Sequence, residues 1–151
     1  MIRRLVTEQV LPISLTEAWN FFSTPKNLND ITPPHLQFEM VSGHESEMHE
    51  GQILVYRIRL LAGFKRTWVT EIKSVAFQRQ FVDEQRFGPY RFWHHRHTFE
   101  ETAEGVRMTD IIHYDVGFGV LGAIVDRAYV TPTVRTIFSY REQTLSKRFP
   151  G

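Results

Sequence analysis

Between Leu36 and Val116 the sequence runs strand after strand, and from about Val120 to Phe149 it changes to a helical period. That change constrains the fold more than any other feature. The strands are punctuated at Gly43, Gly51, Gly63, Gly88-Pro89 and Gly105, and Leu54, Tyr56, Ile58 and Leu60 alternate with Val55, Arg57 and Arg59. A period of two gives each strand one buried and one wet face. The short spacing between runs predicts antiparallel hairpins and a meander, because parallel strands need longer crossovers. In the last segment the apolar residues 121, 124, 125, 128, 134, 137, 138, 145 and 149 follow a helical period. Pro132 predicts a kink there, or a restart with Thr131 as cap. A helix this long must bury its apolar stripe, and a strongly curved sheet supplies the concave face and leaves space beneath.

The chain opens with a strand over residues 2–11. The S-x-x-E pattern of Ser14 and Glu17 then predicts a capped helix from about Leu15, with Ala18, Phe21 and Phe22 on its apolar face and Trp19 alongside. Thr24-Pro25 predicts a second short helix, ended by Pro33-Pro34. The expected class is therefore α+β: about seven antiparallel strands in one curved sheet around a long C-terminal helix, with two short helices after the first strand. At 151 residues, without repeats or low-complexity tracts, the chain reads as one domain, 1–151.

The balance of 18 basic and 17 acidic residues, with no dense basic run, gives no reason to expect nucleic-acid binding. The absence of cysteine excludes disulfides, thiolate metal sites and a cysteine nucleophile. No segment approaches the ~20 apolar residues of a membrane span, and the N-terminus lacks a signal-peptide core, so a cytoplasmic protein is expected. Hydrolase elbows, P-loops, dinucleotide fingerprints and H-E-x-x-H pairs are missing. Arg57, Arg59, Lys65 and Arg66 read as a wet sheet face, and "YREQTLSKRF" as the solvated end of the last helix.

Three of the seven histidines fall in "FWHHRHTFE", Phe92 to Glu100. Strand parity places Trp93, His95, His97 and Phe99 on one face, with His94 on the other. The face with rings at both ends is the better candidate for the inside. The same parity groups Phe81, Asp83 and Gln85 on the preceding strand, and Met108, Asp110, Ile112 and Tyr114 on the following one. Asp83, Gln85, His95, His97 and Asp110 then form one polar group. Two histidines at i and i+2 with a neighbouring carboxylate have the makings of a metal site, but H-x-H arises readily by accident and no metal is assigned. Buried His–Asp pairs equally satisfy one another. A histidine oriented by Asp110 or Asp83 could also serve as a general base, with Tyr56, Tyr114 or Gln85 donating to an oxyanion.

The element order, with "FVDEQRFGPYRFWHHRHTFE", "MTDIIHY" and "IFSYREQTL", resembles the START-like (SRPBCC) superfamily. The pattern Phe81, Asp83, Gln85, Gly88, Pro89, Tyr90, Trp93, His95, His97, Phe99 is similar to that of small bacterial members without a defined function. The resemblance implies a helix-grip fold with an apolar cavity between sheet and terminal helix. The function it implies is binding of a hydrophobic or aromatic small molecule, or a lipid. The expected ligand-binding residues are Tyr56, Trp68, Phe81, Gln85, Trp93, Phe99, Ile112, Tyr114 and Ile124. The alternative is a cyclase or dehydratase using His95, His97, Asp83 and Asp110 as acid-base groups. No cofactor is expected. Gly117, Gly119 and Gly122, facing residues 27–34, are the expected gate. Ligand identity, oligomeric state and any protein partner stay open.

Overall fold

The computed structural model describes residues 1–60 and 63–151. Strand β1 (Arg3–Leu11) alternates half-buried and exposed residues as its sequence does. Helix α1 (Leu15–Phe22) starts where the capping box places it. Glu17 N–H donates to Ser14 Oγ at 3.2 Å, and Ser14 N–H donates to the Glu17 carboxylate at 2.9 Å. The second expected helix is only a 3-10 turn, Pro25–Leu28. Thr24 does not cap it; its hydroxyl donates back to the Asn20 carbonyl of α1 at 2.7 Å. Pro33-Pro34, expected as a terminator, instead opens a further 3-10 turn, Pro34–Leu36. The fixed φ of proline suits a first turn, where its missing N–H is not needed.

Six further strands follow: β2 (Glu39–Ser42), β3 (Ile53–Arg59), β4 (Lys65–Ala76), β5 (Gln80–Phe87), β6 (Phe92–Thr102) and β7 (Gly105–Asp115). They form one antiparallel sheet in the order β1-β7-β6-β5-β4-β3-β2, the expected meander with β1 added beside β7. The turn into β7 requires glycine at 105. Its φ is +130°, and a Cβ there would lie 2.1 Å from the Leu11 carbonyl oxygen.

Register decides which side chains meet. Directly paired residues share a face, and β6 pairs His95 with Ile112 and His97 with Asp110, while β5 pairs Asp83 with His95 and Phe81 with His97. Along β7, Val106, Met108, Asp110, Ile112 and Tyr114 are all buried. Asp110 is the one charged member of that row.

The C-terminal helical segment runs as α2 (Gly119–Val125), a π-turn (Asp126–Val130) and α3 (Thr131–Arg148). The restart falls at Thr131, but not by capping. Thr131 is helical, its N–H reaches five residues back to Asp126, and its hydroxyl links the Asp126 carboxylate (3.0 Å) to the Tyr114 hydroxyl (2.8 Å). Pro132 cannot donate to the preceding turn, and the wider π-turn sits where that bond is lost. Val134, Phe138, Arg141 and Leu145 form the buried stripe of α3. Val134 and Phe138 pack with Ile112 and Tyr114 of β7, and Leu145 packs with Leu11, Val106 and Met108. By contrast Leu121, Ile124 and Val125, expected in the same stripe, are exposed. Helix α3 also covers the free edge of β1, where Gln9 Nε2 donates to the Glu142 carbonyl and to Ser146 Oγ, both at 3.0 Å.

Candidate ligand cavity and its polar ring

Between the inner face of the sheet, α3 and the two 3-10 turns lies a cavity of about 160 Å³. Its wall is mostly apolar: Leu54, Tyr56 and Ile58 from β3, Trp68 and Ile72 from β4, Phe81 from β5, Trp93 from β6, and Val134, Ile137 and Phe138 from α3. The rings pack on one another. Trp68 stacks on Tyr56 at 5.7 Å and meets Trp93 edge-on at 5.2 Å. Tyr90, in the loop between β5 and β6, stands 5.4 Å from Trp68 and 4.9 Å from Trp93. Burial raises the Tyr56 and Tyr90 hydroxyl pKa values, so both stay protonated donors at neutral pH. Among the described residues Trp68 Nε1 is buried without a hydrogen-bond partner.

The polar end is a closed ring of two histidines and two carboxylates. His97 Nε2 pairs with Asp83 Oδ2 at 2.6 Å, and His95 Nδ1 faces the same oxygen at 3.4 Å. On the other side His95 Nε2 pairs with Asp110 Oδ1 at 2.7 Å, and His97 Nδ1 stands 3.0 Å from that oxygen, off the line of a hydrogen bond. The imidazoles lie 3.7 Å apart, tilted 33°, with Phe81 stacked on His97 at 4.2 Å. Trp93 Nε1 donates to Asp83 Oδ1 at 3.4 Å. Arg141 Nη2 lies 3.4 Å from Asp110 Oδ1, its guanidinium flanked by Phe22 and Phe138.

Burial opposes the charge on both aspartates, yet the surrounding cations outweigh it. Arg141 and the two histidines hold Asp110 well below the usual carboxylate range, and His95 with His97 lowers Asp83. The histidines separate. Burial, with the charge of its neighbour, lowers His95, whereas at His97 the adjacent Asp110 and Asp83 carboxylates overcome burial and raise it.

Strand parity brought Asp83, His95, His97 and Asp110 together, and the structure holds the four within hydrogen-bonding or ion-pairing reach. Of the residues expected to bind a ligand, Tyr56, Trp68, Phe81 and Trp93 line the cavity. Five other expected lining residues do not. Gln85 turns onto the loop, where its amide exchanges hydrogen bonds with the Tyr90 backbone at 2.6 and 3.1 Å. Phe99 packs on Trp19 and Phe22. Ile112 is fully buried under α3, and Tyr114 bonds to Thr131. Ile124 is 61% exposed, because α2 stands clear of the sheet.

Arg141 is the residue that sequence reasoning missed. It belonged to a segment read as a solvated helix end, yet it is 6% exposed and lines the cavity. The signal was its place in the stripe: 134, 138, 141 and 145 follow the i, i+4, i+7, i+11 spacing of one helix face. Of the expected gate, Asn27, Leu28, Ile31 and Thr32 border the cavity, with Thr24 and Pro25 just before them, whereas residues 117–125 do not.

No family model and no curated protein sequence matches the chain. Solved structures do. A protein of Chromobacterium violaceum superposes with a TM-score of 0.74 at 10% identity, covering 99% of each chain. KanY superposes with a TM-score of 0.73 at 10% identity, over 100% of this chain and 99% of its own. A START superfamily protein of Mycobacterium smegmatis gives 0.69 at 11% identity, over 97% of each. Identities this low speak for the backbone alone. With its seven-stranded antiparallel sheet and long C-terminal helix, the chain has the helix-grip fold of the START superfamily.

Proposed function

We propose that the chain binds a small, largely aromatic or otherwise apolar molecule in the cavity between the sheet and α3. The observation that carries this reading is the make-up of the wall: stacked rings and aliphatic side chains, interrupted by one polar end. That is the composition of a ligand pocket, in which apolar area supplies affinity and a few polar groups fix orientation.

Size narrows the ligand. A cavity of about 150 Å³ suffices for benzene in a protein core, so 160 Å³ suits one aromatic ring with substituents, or a short acyl chain, better than a long lipid. Within the described residues no helix is long and apolar enough to cross a membrane.

Titration with p-cresol, followed by two-dimensional NMR, tests the proposal. The Trp68 indole N–H and the amides of Leu54–Ile58 and Trp68–Ile72 are expected to shift together and to saturate. Shifts confined to outward-facing residues, or none at millimolar ligand, would overturn it. Native mass spectrometry of the purified protein then identifies what it carries.

A further inference from the structure

The polar ring has a geometry that points beyond small-molecule binding. Two neutral imidazoles hold only two N–H groups, yet all four of their ring nitrogens face a carboxylate oxygen, at 2.6, 2.7, 3.0 and 3.4 Å. His97 Nε2 and His95 Nδ1 both aim at Asp83 Oδ2, and a proton on His97 Nε2 accounts for the 2.6 Å contact. Without that proton three lone-pair atoms converge on one point, where a metal ion can take its place.

We propose that this point is a divalent transition-metal site, with Asp83 Oδ2, His95 Nδ1 and His97 Nε2 as its protein ligands. All three ligand atoms lie within 4.8 Å of one another. Two imidazoles and a carboxylate are a donor set that suits zinc and the neighbouring first-row ions. Metal–ligand bonds of about 2.0–2.1 Å in a tetrahedron set ligand atoms about 3.3 Å apart. His95 Nδ1 already stands 3.4 Å from Asp83 Oδ2, and His97 Nε2, now at 2.6 Å, must open by roughly 0.7 Å as the ion replaces the proton between them.

The outer contacts are those a metal centre needs. His95 Nε2 and His97 Nδ1, the nitrogens away from the site, both face Asp110 Oδ1, and Arg141 holds that carboxylate from behind. Asp83 is fixed through its second oxygen by the Trp93 indole. The three proposed ligands line the cavity wall, whereas Asp110 does not. The coordination position left over therefore opens toward the cavity, where water or an oxygen of a bound molecule completes it. Charge supports the same oxidation state. Asp83, Asp110 and Arg141 sum to −1 around neutral histidines, so a divalent ion brings the centre to +1 and favours an anionic oxygen as its last ligand.

The spacing H-x-H alone left a metal unassigned. What the structure adds is the common oxygen of Asp83 and the shared second carboxylate behind both rings.

The test uses chelator-treated, full-length protein and the metal ion alone. Titration with Co2+ is expected to give the visible absorption of a four- or five-coordinate ion and a stoichiometry of one per chain, and Zn2+ should displace it. His97→Ala and Asp83→Ala should each abolish that band, while Asp110→Asn keeps it and weakens binding about 10- to 100-fold. In the wild-type protein, paramagnetic shifts from Co2+ should fall on the His95 and His97 ring protons, a readout that does not depend on any variant folding. An unchanged band in His97→Ala, shifts centred on other histidines, or no uptake at tenfold excess of ion over protein overturns the proposal.

Discussion

At the scale of single residues, Arg141 governs the polar end. It is the one fixed cation beside Asp110, and the lowering of the Asp110 carboxyl depends on it. Removing one partner of a buried ion pair leaves the other desolvated and exposed to the full cost of its charge. Arg141→Met keeps the length and the apolar stem of the side chain, so packing between Phe22 and Phe138 changes little. We expect it to destabilise the protein by about 3 kcal/mol, read from equilibrium urea unfolding. Combining it with Asp110→Asn should restore most of the loss, since the stranded charge is then gone; an additive double variant would contradict the coupling. This residue also marks a limit of sequence reading. A lone arginine among "YREQTLSKRF" has every appearance of a solvated charge, and only the helical stripe assigns it inward. His95, His97, Asp83 and Asp110 were legible because strand parity is strict, so one assigned face settles the neighbouring ones.

Elements obey local signals where no tertiary contact competes. The capping box of α1 needs only four consecutive residues, and it forms as written. Ser14→Ala removes the acceptor for the Glu17 N–H and should cost about 1 kcal/mol in the same unfolding measurement. A Ser14→Asp variant should keep most of the stability, because a carboxylate caps as well. Helix α2 is the contrary case. Its apolar residues recur at helical spacing, so the element itself was legible, but periodicity reports which face is apolar and not whether anything covers it. Leu121 and Ile124 are 73% and 61% exposed. Their side chains extend past the sheet, beyond the π-turn that separates them from the buried stripe of α3. The second short helix shrank to a single 3-10 turn, which the Asn27 side chain ties back to α1 by donating to the Phe21 carbonyl at 2.9 Å.

For the molecule as a whole, the question is which boundary of the cavity opens. The glycines before α2 and the 3-10 turns were expected to face each other across a mouth, yet only the turns reach the cavity. The segment Thr24–Thr32 is short, partly exposed and held by few backbone hydrogen bonds, whereas α3 is packed along its length against β7. Binding of p-cresol should therefore slow amide hydrogen exchange at residues 24–32 and leave residues 117–125 unchanged. Protection appearing at 117–125 would restore the two-sided gate. The fold itself was legible because alternation, hairpin spacing and the terminal helical period all specify one arrangement. The cavity's outline was less so, since Phe99, Ile112 and Tyr114 share the inward face with true lining residues and differ only in what packs over them.

Two of the three tryptophans, Trp68 and Trp93, meet edge-on at 5.2 Å in the cavity wall, and the third, Trp19, lies among the phenylalanines of α1 and the sheet. Indoles held that close and nearly perpendicular couple their electronic transitions, so the near-ultraviolet circular dichroism carries a contribution from this pair in addition to that of each ring. The chain thus contains its own chromophore at the site in question. Any occupant that rotates either indole alters that coupled signal, while Trp19, standing in a different cluster, supplies an internal reference within the same spectrum.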